Sequence, residues 1–320
     1  MNPLEQGIAA TPPPHQAAPT RKVPATTVAS WPVGTFVENI VAYPDGGLVV
    51  AIHSKCELEL IQSAKERRNF AQLPGPPTGL SLLGDDLFVS MGEPGKNGWS
   101  IRWVKPNGSS EKLLDIPEAL FLNGSTPFRS SSILVVDSIL GQAIEIDTRT
   151  GQRKVWLDHD LLRKITANPM MPGVNGVKAF RGHVYFSNTE RAKILRAPVK
   201  PDGAAGTPEV LAERFVGDDF ALDMQGNLYV TTHVHNQLQR LSPTGERTVL
   251  AGVEEAMHGS TACAFGCGPN DRNCLYVTTT GGIIAPLDGR VREAKLMRLE
   301  IGVQGAEVAG ITEQCIAAQA

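Results

Sequence analysis

The chain has 320 residues, with 33 acidic and 30 basic side chains and a formal charge of −3. Charges of both signs are interspersed, so there is no basic stripe for nucleic acid and no cationic face for an anionic membrane. No apolar run approaches the ~20 residues that cross a bilayer, and the 32 glycines and 23 prolines mark a chain that turns often.

Taken in chain order, residues 1–30 are rich in Pro, Ala and Thr and lack the unbroken apolar core of a secretory signal. They read as a flexible lead-in. Within it, Val23 to Ala29 is a candidate for a strand that closes a ring against Lys295-Leu296-Met297-Arg298-Leu299-Glu300. From residue 31 to 320 one unit recurs: a polar anchor, a short apolar strand, a turn, and a second strand.

The six copies run from Glu38-Asn39-Ile40 to Leu48-Val49-Val50, from Thr78-Gly79-Leu80 to Leu87-Phe88-Val89, and from Asn123-Gly124 to Ile133-Leu134-Val135. They continue from Asn175-Gly176-Val177 to Val184-Tyr185-Phe186, from Asp218-Asp219-Phe220 to Leu228-Tyr229-Val230, and from Thr261-Ala262 to Leu275-Tyr276-Val277. Successive anchors lie 40 to 52 residues apart, a period that means a propeller or a solenoid. Turns such as Pro44-Asp45-Gly46-Gly47 and Gln225-Gly226-Asn227 separate the first two strands. A third strand (Ile144-Glu145-Ile146, Leu238-Gln239-Arg240-Leu241) follows, and turns such as Pro243-Thr244-Gly245 launch a fourth. Four strands per copy, six copies and almost no helical periodicity predict an all-β, six-bladed β-propeller with four-stranded antiparallel blades, forming a single domain over 31–320. Closure by strands from both chain ends would remove the exposed edges of an open ring.

The five cysteines, at 56, 263, 267, 274 and 315, form no disulfide framework and point to a reducing cytoplasm. Structural zinc needs four ligands in close pairs; Cys263 and Cys274 fall in or beside strands, so buried free thiols are expected instead.

In a propeller the starts of the innermost strands converge at one mouth of the channel, which brings together Glu38, Thr78, Asn123, Asn175, Asp218 and Thr261. Oxygen ligands gathered there suit a hard cation such as calcium or a polar substrate. Any one of these groups more commonly satisfies a neighbouring backbone amide. Glu38, Asn175 and Asp218 together are different, since carboxylates crowded at an axis need a partner.

Phe36-Val37-Glu38-Asn39-Ile40, Gly173-Val174-Asn175-Gly176-Val177, Tyr185-Phe186-Ser187-Asn188-Thr189, Gly217-Asp218-Asp219-Phe220-Ala221-Leu222-Asp223 and Thr261-Ala262-Cys263-Ala264-Phe265-Gly266, followed by Leu275-Tyr276-Val277-Thr278-Thr279-Thr280-Gly281-Gly282, resemble the SMP-30/gluconolactonase/LRE-like superfamily in order and spacing. For the lactonases of that superfamily the resemblance implies a divalent cation, Ca2+ or Zn2+, on Glu38, Asn175 and Asp218, with Asn123 beside it, and water attacking a metal-polarised carbonyl. The chain departs from the lactonase pattern where Glu38-Asn39-Ile40 replaces Glu-Gly-Pro and Gly217-Asp218-Asp219-Phe220 replaces Pro-Asp-Gly. Bulkier residues there narrow the approach of a sugar lactone.

The variant wording Glu38-Asn39-Ile40, Asn175-Gly176-Val177-Lys178 and Asp218-Asp219-Phe220-Ala221-Leu222-Asp223 is more like a largely fungal branch that includes hetero-Diels-Alder cyclases of natural-product pathways. That resemblance implies a small-molecule enzyme that needs no cofactor. It would hold two apolar partners in a near-attack pose, exclude water, and place a donor on one carbonyl. Glu38, Asp218 and Asn175 are its expected catalytic groups. Asn123, Asp219, Phe220, Thr78, Thr261, Met171, His233 and His258 are its expected substrate contacts. Met91, Trp99, Phe128, Met170 and Met257 are further candidates for apolar walls, and His53 and His235 for donors, although a lone Met or Phe near a strand end more often fills a core. His233-Val234-His235 reads as two imidazoles on one face of a strand.

No Gly-x-Ser-x-Gly elbow, Walker loop or His-Glu-x-x-His helix occurs. Three functions stay open: a metal-independent cyclase, a metal-dependent lactonase or ester hydrolase, and a non-catalytic binding propeller. A small molecule is the expected partner, and the sequence names no protein partner.

Overall fold

The computed structural model describes residues 18–92, 98–167 and 171–307. The strands are β1 (Ala25–Trp31), β2 (Val37–Ala42), β3 (Leu48–Ile52), β4 (Glu57–Ser63), β5 (Glu66–Gln72), β6 (Pro77–Leu83), β7 (Asp86–Gly92), β8 (Trp99–Val104), β9 (Ser110–Ile116), β10 (Leu122–Arg129), β11 (Ser132–Asp137) and β12 (Gln142–Asp147). They continue as β13 (Arg153–Asp158), β14 (Val174–Phe180), β15 (His183–Asn188), β16 (Lys193–Pro198), β17 (Glu209–Glu213), β18 (Phe220–Leu222), β19 (Leu228–Thr232), β20 (Gln237–Leu241), β21 (Arg247–Ala251), β22 (Ser260–Phe265), β23 (Cys274–Thr279) and β24 (Ala294–Glu300). They form six four-stranded antiparallel sheets, the blades of a six-bladed β-propeller, and the described residues include no α-helix. Five blades run through four consecutive strands; in the last, β1 pairs with β24 in the order β1-β24-β23-β22. Residues 1–17, which include most of the expected lead-in, lie outside the described residues, as do Met170 and Cys315.

The described chain forms two compact units: residues 18–77 with 217–307, holding blades 1, 5 and 6, and residues 78–216, holding blades 2, 3 and 4. Second strands β3, β11, β19 and β23 are buried at every position. Both of their faces are covered, which is why Leu48-Val49-Val50-Ala51-Ile52 and its counterparts read as nearly unbroken apolar runs rather than alternating ones. Outer strands such as β5 and β17 are largely exposed. Phe128 packs edge-on to Trp156 in the core between blades 3 and 4, and Met257 lies in the core between blades 5 and 6. These two residues fill cores rather than wall a ligand.

Four of the first strands open irregularly at their anchors. The register of β2 against β3 slips between Val37 and Asn39, leaving Glu38 as the extra residue. The same slip spans Asn123 and Gly124 in β10, Asn175 and Gly176 in β14, and Thr261 and Ala262 in β22. A bulge of this kind re-aims one side chain without ending the strand.

Hydroxyls from one blade hold the anchor backbone of the next. In the first unit Thr231 Oγ1 accepts the Asp219 N–H (3.2 Å) and donates to the Thr261 carbonyl (2.6 Å), while Thr261 Oγ1 donates to the carbonyl of Val37 (2.8 Å), just before Glu38. In the second unit Ser90 Oγ accepts the Gly79 N–H (3.0 Å) and lies 3.1 Å from the Asn123 carbonyl, and Thr78 Oγ1 donates to the carbonyl of Leu122 (2.8 Å). A Cβ on Gly79 would lie 2.2 Å from the Asn123 oxygen, and one on Gly124 2.4 Å from the Asn175 oxygen. Glycine is therefore what lets these neighbouring blades close.

Candidate active site

Asp218 stands just ahead of β18, where the ladder continues: its N–H donates to the Thr231 carbonyl (2.8 Å), and Thr231 N–H donates to that of Asp219 (3.0 Å). His233 follows β19 directly, so the two side chains meet across the same pair of strands. His233 Nδ1 lies 3.1 Å from Asp218 Oδ2, with the side chains 10 and 14 % exposed. A carboxylate accepts, so Nδ1 carries the proton, and Nε2 lies 3.4 Å from Thr280 Oγ1. The imidazole is thus oriented from both ends, which is the arrangement of a positioned proton carrier.

Glu38 is half-buried on the bulge of β2. Burial first, then the Asp218 and Asp219 carboxylates, hold its carboxyl well above the usual glutamate range. Among the described residues Glu38 has no ion pair with a lysine or arginine. Phe36, two residues earlier, packs its ring against two imidazoles, with centroids 5.5 Å from His53 and 5.8 Å from His233. His53 donates Nδ1–H to the Pro77 carbonyl (3.0 Å), which fixes Nε2 as an acceptor, and burial lowers its pKa so that it stays neutral. The first unit therefore gathers Glu38, Asp218, Asp219, His233 and the Phe36–His53 pair around one point.

Other expected residues take different places. Asp219 is buried and turns Oδ1 onto the N–H of Phe220 (2.8 Å), as Asn39 does to Ile40 (2.8 Å). Thr78 and Thr261 are buried, and their hydroxyls join blades instead of facing a ligand. Phe220 is fully buried. His233 and His235 do not share a strand face: Thr232 ends β19, His233–His235 form a 3-10 turn, and Asn236 closes it in the left-handed conformation (φ 56°). His258 is half-buried beside a cavity of about 460 Å3. In the second unit Asn123 and Met171 are buried, and Asn175 Nδ2 donates to Thr189 Oγ1 (3.0 Å). Of the cysteines, Cys263 and Cys274 are buried as expected, whereas Cys267 is exposed.

The sequence reading named His53 and His233 but not the position they share, the residue immediately after a second strand, which Ser138, Thr189 and Thr280 also occupy. Asn175–Thr189 and Asp218–His233 are the same pairing on two blades. A polar residue following each apolar second-strand run was the available signal.

Among the described residues no group of three or more His, Cys, Asp and Glu side chains is disposed to hold a metal ion. The crowded carboxylates of Glu38 and Asp218 are nevertheless oxygen donors of the kind a hard divalent cation takes. They fit calcium better than zinc, since the nearby His233 imidazole is engaged by Asp218.

Residues 162–281 match the family model described as the SMP-30/Gluconolactonase/LRE-like region, which bears out the resemblance read from the motifs. At the level of individual proteins, the chain is 24% identical over 309 residues to a Phoma sp protein carrying the provisional name hetero-Diels-Alderase, covering 81% of this chain and 87% of that one. It is 26% identical over 313 residues to a Sarocladium schorii protein with the same provisional name, covering 80% of this chain and 78% of the relative. The crystal structure of a calcium-binding protein, regucalcin, from Agrobacterium tumefaciens superposes with a TM-score of 0.68 at 14% identity, over 92% of this chain and 98% of that one. At that identity the likeness is one of fold.

Proposed function

We propose that the protein is an enzyme that joins two apolar partners in a cyclisation of the hetero-Diels-Alder type at the Glu38–Asp218–His233 cluster. The observation that carries this reading is the placement of Glu38 against the oriented Asp218–His233 pair, and the names of the Phoma and Sarocladium relatives support it. Raising the Glu38 carboxyl favours its protonated form, which donates a hydrogen bond to the carbonyl of the electron-poor partner and lowers its barrier to attack, as charge builds on that oxygen in the transition state. The His233 imidazole, held by Asp218, accepts or returns a proton on the substrate without leaving its orientation. Cycloaddition forms two bonds and releases nothing, so the site needs no nucleophile. Val33, Val253 and Leu287, exposed on loops at the anchor end of the first unit's blades, suit apolar substrates.

The test is cyclisation of a quinone methide generated in situ with a terpenoid alkene, followed by product yield and enantiomeric excess. Activity that survives chelation and falls at least ~100-fold in Glu38→Ala supports the reading; a racemic product at the background rate overturns it. A second reading, a divalent-metal-dependent lactonase, is favoured by the oxygen donors of Glu38 and Asp218 and by the family model's description. In it Glu38 and Asp218 would hold the cation, which would polarise a lactone carbonyl toward water. Lactone hydrolysis abolished by chelator and restored by calcium would establish that reading, and a well-folded protein inert in both assays would leave a binding propeller.

A further inference from the structure

The first unit has a cavity of about 460 Å3 lined by Val253, Ala256, His258, Arg292, Glu293 and Lys295, a size within the ~300–1,000 Å3 of small-molecule sites. It lies where the turn ahead of β22 meets the segment leading into β24. Its lining combines two chemistries. Val253 and Ala256 present methyl groups, whereas His258, Arg292 and Lys295 bring three basic groups against the single carboxylate of Glu293.

These cations are not equivalent. Arg292 is held in place: it donates Nη1 to the Arg290 carbonyl (2.9 Å) and Nη2 to the Asp288 carboxylate (3.1 Å). The Lys295 ammonium makes no hydrogen bond or ion pair among the described residues, although its backbone N–H donates to Thr279 Oγ1 (3.0 Å). At His258 burial, then Arg292, then Lys295 lower the pKa, and Asp288 opposes them. Asp288 is already engaged by Arg292, which leaves the Lys295 ammonium as the cation of this lining without a paired anion among the described residues.

We propose that this cavity is a binding site for a small organic carboxylate, whose anion lies among His258, Arg292 and Lys295 and whose apolar part rests on Val253 and Ala256. The assignment stands whether or not the Asp218–His233 pair catalyses a cyclisation. A bound anion beside His258 would favour the protonated imidazole against burial and the neighbouring cations, so binding and protonation are linked, and affinity rises as pH falls.

The experiment is calorimetric titration of the full chain with benzoate at pH 6 and pH 8, with inorganic phosphate as a competitor and the His258 ring resonances as a local reporter. Expected are saturable benzoate binding, severalfold tighter at pH 6, with His258 resonances moving, and at least a tenfold loss of affinity in Lys295→Gln. Arg292→Lys, which keeps the charge, should lose less than Arg292→Gln. Absence of benzoate binding at both pH values, or binding unaffected by Lys295→Gln in a protein of unchanged melting temperature, would overturn the proposal. Phosphate binding without benzoate binding would overturn the assignment to an organic carboxylate.

Discussion

Blades 1 and 5 are close copies at their anchors. Each places a carboxylate at the opening of the first strand, each turns the next side chain back onto the following amide at 2.8 Å (Asn39 to Ile40, Asp219 to Phe220), and each sends its second strand into a 3-10 turn that begins with histidine. They part at the histidine. His233 returns to its own anchor, 3.1 Å from Asp218, whereas His53 turns to the carbonyl of Pro77 at 3.0 Å. Asp218 thereby gains a hydrogen-bond donor, and Glu38, which has none among the described residues, has its carboxyl pushed well above the usual glutamate range by burial and by its two acidic neighbours. One rotation of an imidazole converts a repeated pair of positions into an acid on one blade and an oriented base on the other.

The most severe way to break this comparison is at the chemistry. Asp218→Asn and His233→Ala should each lower the cyclisation rate by ~100-fold or more, while His53→Ala changes it only severalfold, as product formation under saturating substrate will show. Equal losses at His53 and His233 would mean that the two blades contribute alike.

Next is the support beneath blade 5. Thr231→Val leaves the Asp219 N–H and Thr261 carbonyl without their hydroxyl and should cost about 1–3 kcal/mol in urea unfolding. Blade 1 carries Ala51 at that register and has no such bond to lose, so Ala51→Ser is expected to change stability far less.

The finest tests are of sign. The folded-state pKa of His53 is depressed, so its contribution is neutral above the ordinary histidine value. Stability is lost as pH falls below that value, where only the unfolded chain takes the proton. His53→Gln should flatten that acid limb. The folded-state pKa of Glu38 is raised, so its contribution is fully present below the ordinary glutamate value and is lost as pH rises through the folded value. Glu38→Gln should therefore melt higher than the parent at pH 8 and coincide with it near pH 4, the opposite slope from the same blade.

The six blades were legible in the sequence because their second strands are buried on both faces and read as apolar runs between turn signals. The anchors were legible for a related reason, since a polar residue opening such a strand stands out. What the anchors do was not. Thr261 and Asp218 stand at equivalent places, yet one hydroxyl bonds to the next blade while one carboxylate meets a histidine, and spacing alone does not say which way a bulged residue turns. His233-Val234-His235 misled for the converse reason: β-branched Thr231, Thr232 and Val234 suggest a continuing strand, and the left-handed Asn236 that ends it leaves little trace in the pattern. Phe128 and Met257 carry no mark separating a core side chain from one lining a pocket.

The pairing of β1 with β24 also has a consequence for how the protein is made. Residues 25–31 are synthesised before all the other described strands and their partner at 294–300 after them, so the edge of the final blade waits while the strands between are made. Until then β1 is an unpaired strand of Ala25-Thr26-Thr27-Val28-Ala29-Ser30-Trp31, open to pairing with a neighbouring nascent chain. A stop codon shortly before residue 294 would leave that condition permanent, giving a product expected to aggregate rather than to persist as a propeller with one strand missing.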